Sequence, residues 1–184
     1  MKDKIKDAFL SMIETTTIEK IKVKDIAEKC HISRQTFYYY YYDVFSILKY
    51  VFQEPTERAL ENIKYVEDLE TCYLDIMSWF RKNKRLVTVT YNYDNGKLLK
   101  DCLKRILLPN IIKIIYKNSF GYSVTKKQLS FIAKVYFTSL IGFLFDWIEN
   151  DMDEDPNLIL DYANLIIKAN FEETLRNFEL YNDK

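Results

Sequence analysis

Turn-forming residues are scarce in this chain, which has three glycines and three prolines in 184 residues. A protein built from many strands needs such residues at nearly every hairpin. Hydrophobic residues make up 48% of the chain, and they recur at spacings of three and four, which places them on one face of a helix. The chain is therefore predicted to be all-α, with about nine helices.

The first fifty residues predict three short helices and the start of a fourth. Apolar stripes over Ile5–Ile13 and Val23–Cys30 indicate the first two. Ser33 is suited to cap the third helix, because its hydroxyl can accept a backbone N–H. Asp43 is suited to cap the fourth, which Pro55 is expected to kink or end.

Five further apolar stripes follow at helical spacing. They cover residues 69–80, 86–93, 99–115, 129–147 and 158–178. A loop is expected over 92–96 and a bend at Pro109. Asp155 and Pro156 form a good start for the last helix, since proline at the first helical position loses no hydrogen bond.

The segment Val23–Leu48 has the form of a helix-turn-helix. A recognition helix buries one face on its supporting helix and directs polar side chains of its first turn into the major groove. Arg34, Gln35 and Thr36 occupy that first turn. Arginine can donate two hydrogen bonds to guanine, and glutamine can pair with adenine.

Tyrosine hydroxyls later in the same helix are suited to phosphate oxygens, and Phe37 and Tyr41 are expected to face inward. The predicted DNA-binding residues are Lys24, Ser33, Arg34, Gln35, Thr36, Tyr38, Tyr39 and Tyr40. The charge distribution adds little, because residues 1–50 hold nine basic and seven acidic side chains in a chain with 27 of each. The predicted division is a DNA-binding domain at 1–48 and a helical dimerisation and effector or partner-binding domain at 49–184.

These residues resemble the signature of the TetR family of transcriptional regulators. The matching positions are Val23-Lys24-Asp25-Ile26-Ala27, Ile32-Ser33-Arg34-Gln35-Thr36-Phe37-Tyr38 and Leu48. The resemblance implies a DNA-binding dimer that acts on a palindromic operator. It also implies control by a small-molecule effector, with repression the commoner outcome.

Three positions depart from the family pattern. His31 replaces the usual glycine at the helix corner, and histidine is among the less penalised residues if that corner needs a left-handed backbone. Tyr40 replaces a histidine and Val44 a lysine, both of which commonly touch phosphate in the family. Loss of the lysine predicts weaker or less salt-sensitive DNA binding.

A narrower resemblance is to the subgroup of regulators similar to the dihydroxyacetone kinase operon activator. It covers S-R-Q-T-F-Y-Y and the following D-V-F-S-I-L-K-Y-V-F, and extends to Phe80–Arg85, Trp147 and Asp155-Pro156. This subgroup raises the alternative of a transcriptional activator controlled by a protein coactivator.

A homodimer is expected, because two recognition helices one DNA turn apart combine their contributions on a palindrome. The last two apolar stripes offer the contact surface, and Gly142 permits close approach. The predicted interface residues are Tyr136, Phe137, Leu140, Leu144, Trp147, Leu165, Ile166 and Ala169.

Aromatic residues among the middle helices are candidates for an effector pocket, with a packed core as the alternative. They are Trp79, Phe80, Tyr91, Tyr93 and Tyr116. Cys72 and Cys102 form a candidate sensor pair, although buried thiols are the simpler interpretation.

An enzyme is not expected, because the chain has one histidine, no glycine-rich phosphate loop and no metal-ligand spacing. No cofactor or metal is predicted. The charge-free stretch Val135–Phe145 is about half of a membrane span, so a soluble protein is expected. Cys30, Cys72 and Cys102 are odd in number and follow no C-x-x-C spacing, which predicts a reduced, cytoplasmic setting. A helical adaptor that does not bind DNA is the remaining alternative.

Overall fold

The computed structural model describes residues 1–66, 68–167 and 170–182, without the side chains of residues 166 and 167. All regular structure in this part of the chain is helical, which confirms the all-α prediction. The elements are α1 (Lys2–Ile13), a 3-10 helix (Ile18–Lys20), α2 (Val23–Lys29), α3 (Arg34–Tyr40), α4 (Val44–Leu60), α5 (Leu69–Lys82), α6 (Lys84–Asp94), α7 (Lys97–Asn118), α8 (Lys126–Glu149), α9 (Pro156–Ile167) and α10 (Phe171–Asn182).

The first three helices pack into a small unit. α2 contacts both α1 and α3, and the core between them contains Phe9, Ile26 and Phe37, all fully buried. The thiol of Cys30 donates a hydrogen bond to the carbonyl of Lys4 at 3.6 Å, which ties the end of α2 to α1. Burial of these large apolar side chains is what holds so small a unit together.

Helix α4 joins this unit to the rest of the chain. Its N-cap is Asp43, whose carboxylate accepts the backbone N–H of Ser46 at 2.7 Å. The helix runs through Pro55 to Leu60, so the proline does not end it. Because α4 packs on α1, α5 and α7, the proposed boundary between residues 48 and 49 lies inside a helix that both parts share.

Helix α7 is the centre of the larger part, where it packs against α4, α6 and α8 and continues through Pro109. Helix α6 extends to Asp94, so the loop expected over 92–96 is wrong for its first three residues. The turn consists of Asn95 and Gly96, both left-handed, with φ of 53° and 78°. A Cβ at Gly96 would lie 2.6 Å from a ring carbon of Tyr91, so this position requires glycine.

The connection between α8 and α9 is fixed by an arginine of α5. Asp151 and Met152 are both left-handed, with φ of 58°. The Arg81 guanidinium donates to the carbonyls of Met152 and Glu154 at 2.7 and 2.8 Å, and it lies 5.1 Å from the Trp147 ring. These contacts compensate for the backbone strain and set where α9 starts.

Within the described residues, α8 is the one helix long and apolar enough by length and composition to cross a membrane. The expectation from Val135–Phe145 understated its apolar length, because a span tolerates one or two charged residues. The core helix of a soluble protein passes the same test, and α8 packs along α7.

Candidate nucleic-acid interface

The first turn of α3 is closed by its own cap. The hydroxyl oxygen of Ser33 accepts the backbone N–H of Thr36 at 3.0 Å, and the two hydroxyl oxygens lie 2.9 Å apart. This satisfies one of the N–H groups that a helix start leaves without a partner. Ser33 therefore positions the helix, as its sequence context predicts.

The inner side of α3 is apolar. Phe37 is 0% exposed and packs against the tilted ring of Tyr41, which is also buried. The Tyr41 hydroxyl donates to the carbonyl of Lys2 at 3.4 Å, and burial raises the pKa of this phenol, so it remains neutral. The inward orientation predicted for Phe37 and Tyr41 is confirmed, and it fixes which side of α3 faces solvent.

The outer side of the first turn carries polar side chains. Arg34 and Gln35 are exposed, whereas Thr36 is half-buried and its hydroxyl contacts Ser33. Arg34 and Gln35 are thus free to reach base edges. Thr36 has less freedom to do so.

A surface of four tyrosines continues from this turn. Tyr38, Tyr39, Tyr40 and Tyr42 are all exposed, and Tyr39 and Tyr42 expose 82% and 85% of their surface. The rings of Tyr39 and Tyr40 meet edge to face at 5.0 Å between centroids. Tyr42 was not among the predicted DNA-binding residues. Its exposure follows from the extended backbone at Tyr41, because neighbouring side chains of an extended segment point to opposite sides and Tyr41 is buried.

The corner between α2 and α3 has the left-handed backbone for which the family uses glycine. His31 has a φ of 53°, and the N–H of Ile32 closes the turn on the carbonyl of Ala27 at 3.0 Å. The corner geometry is therefore kept despite the substitution, at the energetic cost of a Cβ in this region.

Two lysines lie at the start of α2. Lys24, the predicted phosphate contact, is exposed and forms an exposed ion pair with Glu28 at 3.6 Å. Lys22, which sequence reasoning missed, is also exposed. Val44 is buried at the start of α4 and provides no contact to phosphate. The surface around α3 therefore exposes several neutral tyrosine hydroxyls and few positively charged side chains.

A family model described as a transcriptional regulator C-terminal region, the TetR C-terminal type, matches residues 67–169, which is more than half of the chain. This chain belongs to the TetR family of transcriptional regulators. It is therefore a DNA-binding transcriptional regulator, and the adaptor alternative is not supported.

A curated relative and several solved structures are similar to this TetR-family regulator. An uncharacterized HTH-type transcriptional regulator, YxbF of Bacillus subtilis (strain 168), is 40% identical over 53 residues. That match spans 29% of the chain and only 14% of the relative.

Three solved structures share its fold at low sequence identity. The dihydroxyacetone kinase operon activator DhaS has a TM-score of 0.66 at 17% identity, with 97% of both chains covered. The fatty acid degradation regulator FadR from Bacillus halodurans has a TM-score of 0.57 at 16% identity, covering 95% of this chain and 94% of that one. The repressor AlkX from Dietzia sp. strain DQ12-45-1b has a TM-score of 0.55 at 13% identity, covering 95% and 98%.

The five aromatic residues predicted to line an effector pocket do not share a cavity. Phe80 is in the core, and Tyr116 is exposed on α7. Burial raises the pKa of Tyr91 to about 12, together with the hydrogen bond that its hydroxyl donates to the Glu149 carboxylate. Tyr93 contacts Phe45. The five side chains thus have separate surroundings, which range from the core to solvent, and they do not line one pocket.

Trp79 does line an open groove, between α1, α4 and α5, together with Pro55 and Lys82. A second groove lies between α4 and α7. The space enclosed by α5, α7 and α8 is an apolar cavity of only about 20 Å³. Cys72 lines that cavity, Cys102 lines the second groove, and both cysteines are buried and form no disulfide.

Four of the residues predicted for the dimer interface are in the core of the subunit instead. They are Tyr136, Phe137, Leu144 and Trp147. Leu140 is half-buried, and its carbonyl accepts the hydroxyl of Tyr73 at 2.9 Å. Leu165 is exposed as predicted. The side chain of Ile166 and the whole of Ala169 lie outside the described residues.

A different set of apolar residues faces outward on α8 and α9. We call it the outer apolar face, and it comprises Phe131, Val135, Phe143, Leu158, Tyr162 and Leu165. A Cβ added at Gly142, on the same side of α8, would meet nothing within 4 Å. Exposed large apolar residues on one helix face, such as Leu158, Tyr162 and Leu165 on α9, are typical of a surface that binds another protein.

Proposed function

We propose that this regulator binds a palindromic operator as a homodimer, with one α3 helix of each subunit in the major groove. The observation that carries the proposal is the orientation of α3. Arg34 and Gln35 are exposed on its first turn, and Phe37 behind them is fully buried. A polar first turn on an apolar underside is what a recognition helix requires.

The contacts divide into base reading and positioning. Arg34 reads guanine and Gln35 reads adenine, because each can form two hydrogen bonds in the major groove. Tyr38, Tyr39 and Tyr40 donate hydroxyl hydrogens to phosphates, and Lys24 adds a charged contact. Ser33 and Thr36 keep the first turn in place through their mutual hydrogen bonds.

The outer apolar face forms the dimer contact in this proposal. Its six members lie on α8 and α9, so two copies related by a twofold axis build a four-helix contact. Gly142 lets the two α8 helices approach closely, since its side of the helix is open.

An effector or a protein coactivator acting on residues 49–184 changes the spacing of the two α3 helices. The connection runs through α1, which packs on α4 and α6. The guanidinium of Arg85 on α6 donates to the carbonyl of Ile13, the last residue of α1, at 3.3 Å. Repression and activation are both compatible with this geometry. The regulator works in the cytoplasm, where the chromosome is accessible.

Selection of bound sequences from a random DNA pool, followed by titration of the best duplex, tests this proposal. Arg34→Ala is expected to weaken binding roughly tenfold to a hundredfold, since one bidentate base contact contributes about 1–3 kcal/mol. Arg176→Ala is the matched control, because Arg176 is exposed on α10 and pairs with Glu172. Equal affinity of both variants, or no enriched sequence, contradicts the proposal.

A further inference from the structure

We infer that the groove between α4 and α7 binds a small compound that carries a carboxylate or phosphate group, held by Lys49 and Arg105. The groove has a volume of about 390 Å³, within the range of small-molecule sites. We call it the α4–α7 groove. Its lining residues are Lys49, Gln53, Glu57, Cys102, Arg105, Ile106, Pro109 and Asn110.

The charges of the groove favour an anion. Glu57 is the acidic residue of the lining, and its carboxylate accepts the side-chain amide of Gln53 at 2.8 Å. Among the described residues, neither Lys49 nor Arg105 forms an ion pair. The lining thus holds two cations, on facing helices, against one carboxylate, and this excess attracts an anionic group that either cation alone would bind only weakly.

The base of the groove is neutral. Burial raises the pKa of the Cys102 thiol to about 11, so the thiol is uncharged near pH 7. Lys49 and Arg105 lower this pKa, whereas Asp101 and Asp94, which are outside the groove lining, raise it. With Ile106 beside it, Cys102 provides a surface for the uncharged part of a ligand. The expected compound therefore has an anionic head and a small apolar body.

The groove is close to the DNA-binding unit in the chain. α4 begins at Val44, four residues after the end of α3 at Tyr40, and Lys49 is on its second turn. A ligand bridging Lys49 and Arg105 would hold α4 against α7 and so restrict the position of α3. This regulatory consequence rests on the proposed function, whereas binding of the anion does not.

Anion binding is tested on the full chain without DNA, by following backbone amide signals in ¹H–¹⁵N spectra at constant ionic strength. Inorganic phosphate and acetate are the two probes, titrated in exchange for chloride. We expect saturable shifts at residue 49, residue 53 and residues 102–110 with at least one probe. The probe that saturates at lower concentration shows whether the natural group is a phosphate or a carboxylate.

The double variant Lys49→Gln with Arg105→Gln is expected to bind the effective probe at least tenfold more weakly. The double variant Lys100→Gln with Lys104→Gln is the control, since both lysines are exposed on α7 outside the groove lining. Shifts that do not saturate, that centre on α3, or that persist in the groove variant overturn the inference. An unchanged amide spectrum away from the groove verifies that each variant is folded.

The outcome is separable from that of the proposed function. Operator binding is measured on the unliganded protein, so its failure would leave the anion titration interpretable. Conversely, absence of an anion site would leave DNA recognition by α3 intact.

Discussion

The hydroxyl oxygen of Ser33 accepts the backbone N–H of Thr36 at 3.0 Å, so the residue before the recognition helix fixes its first turn. The same contact holds Thr36 half-buried beside the exposed Arg34 and Gln35. Stability of the cap and orientation of the base-reading side chains are therefore coupled.

Removal of this cap is expected to weaken both folding and DNA binding. Ser33→Ala should lower the free energy of unfolding by about 1 kcal/mol, because the N–H of Thr36 loses its acceptor. Ser33→Asn retains an acceptor and should stay close to the wild type. Urea denaturation measures the effect, and an alanine variant as stable as the asparagine variant contradicts it.

The left-handed corner at His31 predicts a stabilising substitution. His31→Gly should raise the free energy of unfolding by about 0.5–1 kcal/mol, because glycine avoids the Cβ strain at a φ of 53°. His31→Val should lower it, since β-branched residues tolerate this region poorly. Thermal denaturation of the three proteins gives the order. A glycine variant less stable than the wild type would show that the imidazole forms a compensating contact.

The surface around α3 predicts two kinds of contact to DNA phosphates, which differ in their dependence on salt: charged contacts from lysine and neutral contacts from tyrosine hydroxyls. Lys24→Gln should reduce the slope of log K against log salt by about 1, since one fewer counterion is released. Tyr39→Phe should weaken binding several-fold through loss of one hydroxyl, with the slope unchanged.

Fluorescence anisotropy across a salt series measures both quantities. Lys127→Gln, at an exposed position on α8, is the control and should change neither. A change of slope in the tyrosine variant would contradict a neutral contact to phosphate.

The outer apolar face predicts how the dimer can be separated. Val135→Glu should dissociate the dimer while leaving the subunit folded, because this exposed residue contributes little to the core and a buried charge opposes association. Tyr116→Glu is the control, because Tyr116 is exposed on α7 and is not a member of this face. Sedimentation measures the mass, and a Val135→Glu dimer as tight as the wild type contradicts the assignment.

The buried side of α8 predicts the opposite behaviour. Phe137→Ala should lower the stability of the subunit by about 3–5 kcal/mol, because Phe137 is almost fully buried. The loss should appear in chemical denaturation. A variant that dissociates without loss of stability would restore Phe137 to the interface.

The helices could be located from the sequence because their apolar spacing is a local property. The caps Ser33 and Asp43, and the inward Phe37 and Tyr41, follow from the same local rules. Loop length was less predictable, since a helix such as α6 continues until a residue such as Asn95 adopts a left-handed conformation. The apolar spacing therefore does not predict the residue at which the last turn of a helix ends.

The sequence did not predict which apolar residues of the C-terminal helices are exposed, because an apolar stripe can be buried within the subunit or against another subunit. Tyr136 and Phe137 are covered within the subunit, whereas Phe131 and Val135 on the same helix are exposed. The pocket prediction failed for a related reason. A cavity depends on the distance between neighbouring helices, and the spacing of apolar residues along the sequence does not determine that distance.

Repeating the DNA selection with Arg34→Ala and Gln35→Ala tests the central claim most directly. We predict that each variant loses the preference for one base pair in each half-site, at symmetry-related positions, and retains the others. An unchanged preference at every position in both variants would contradict base reading by the first turn of α3.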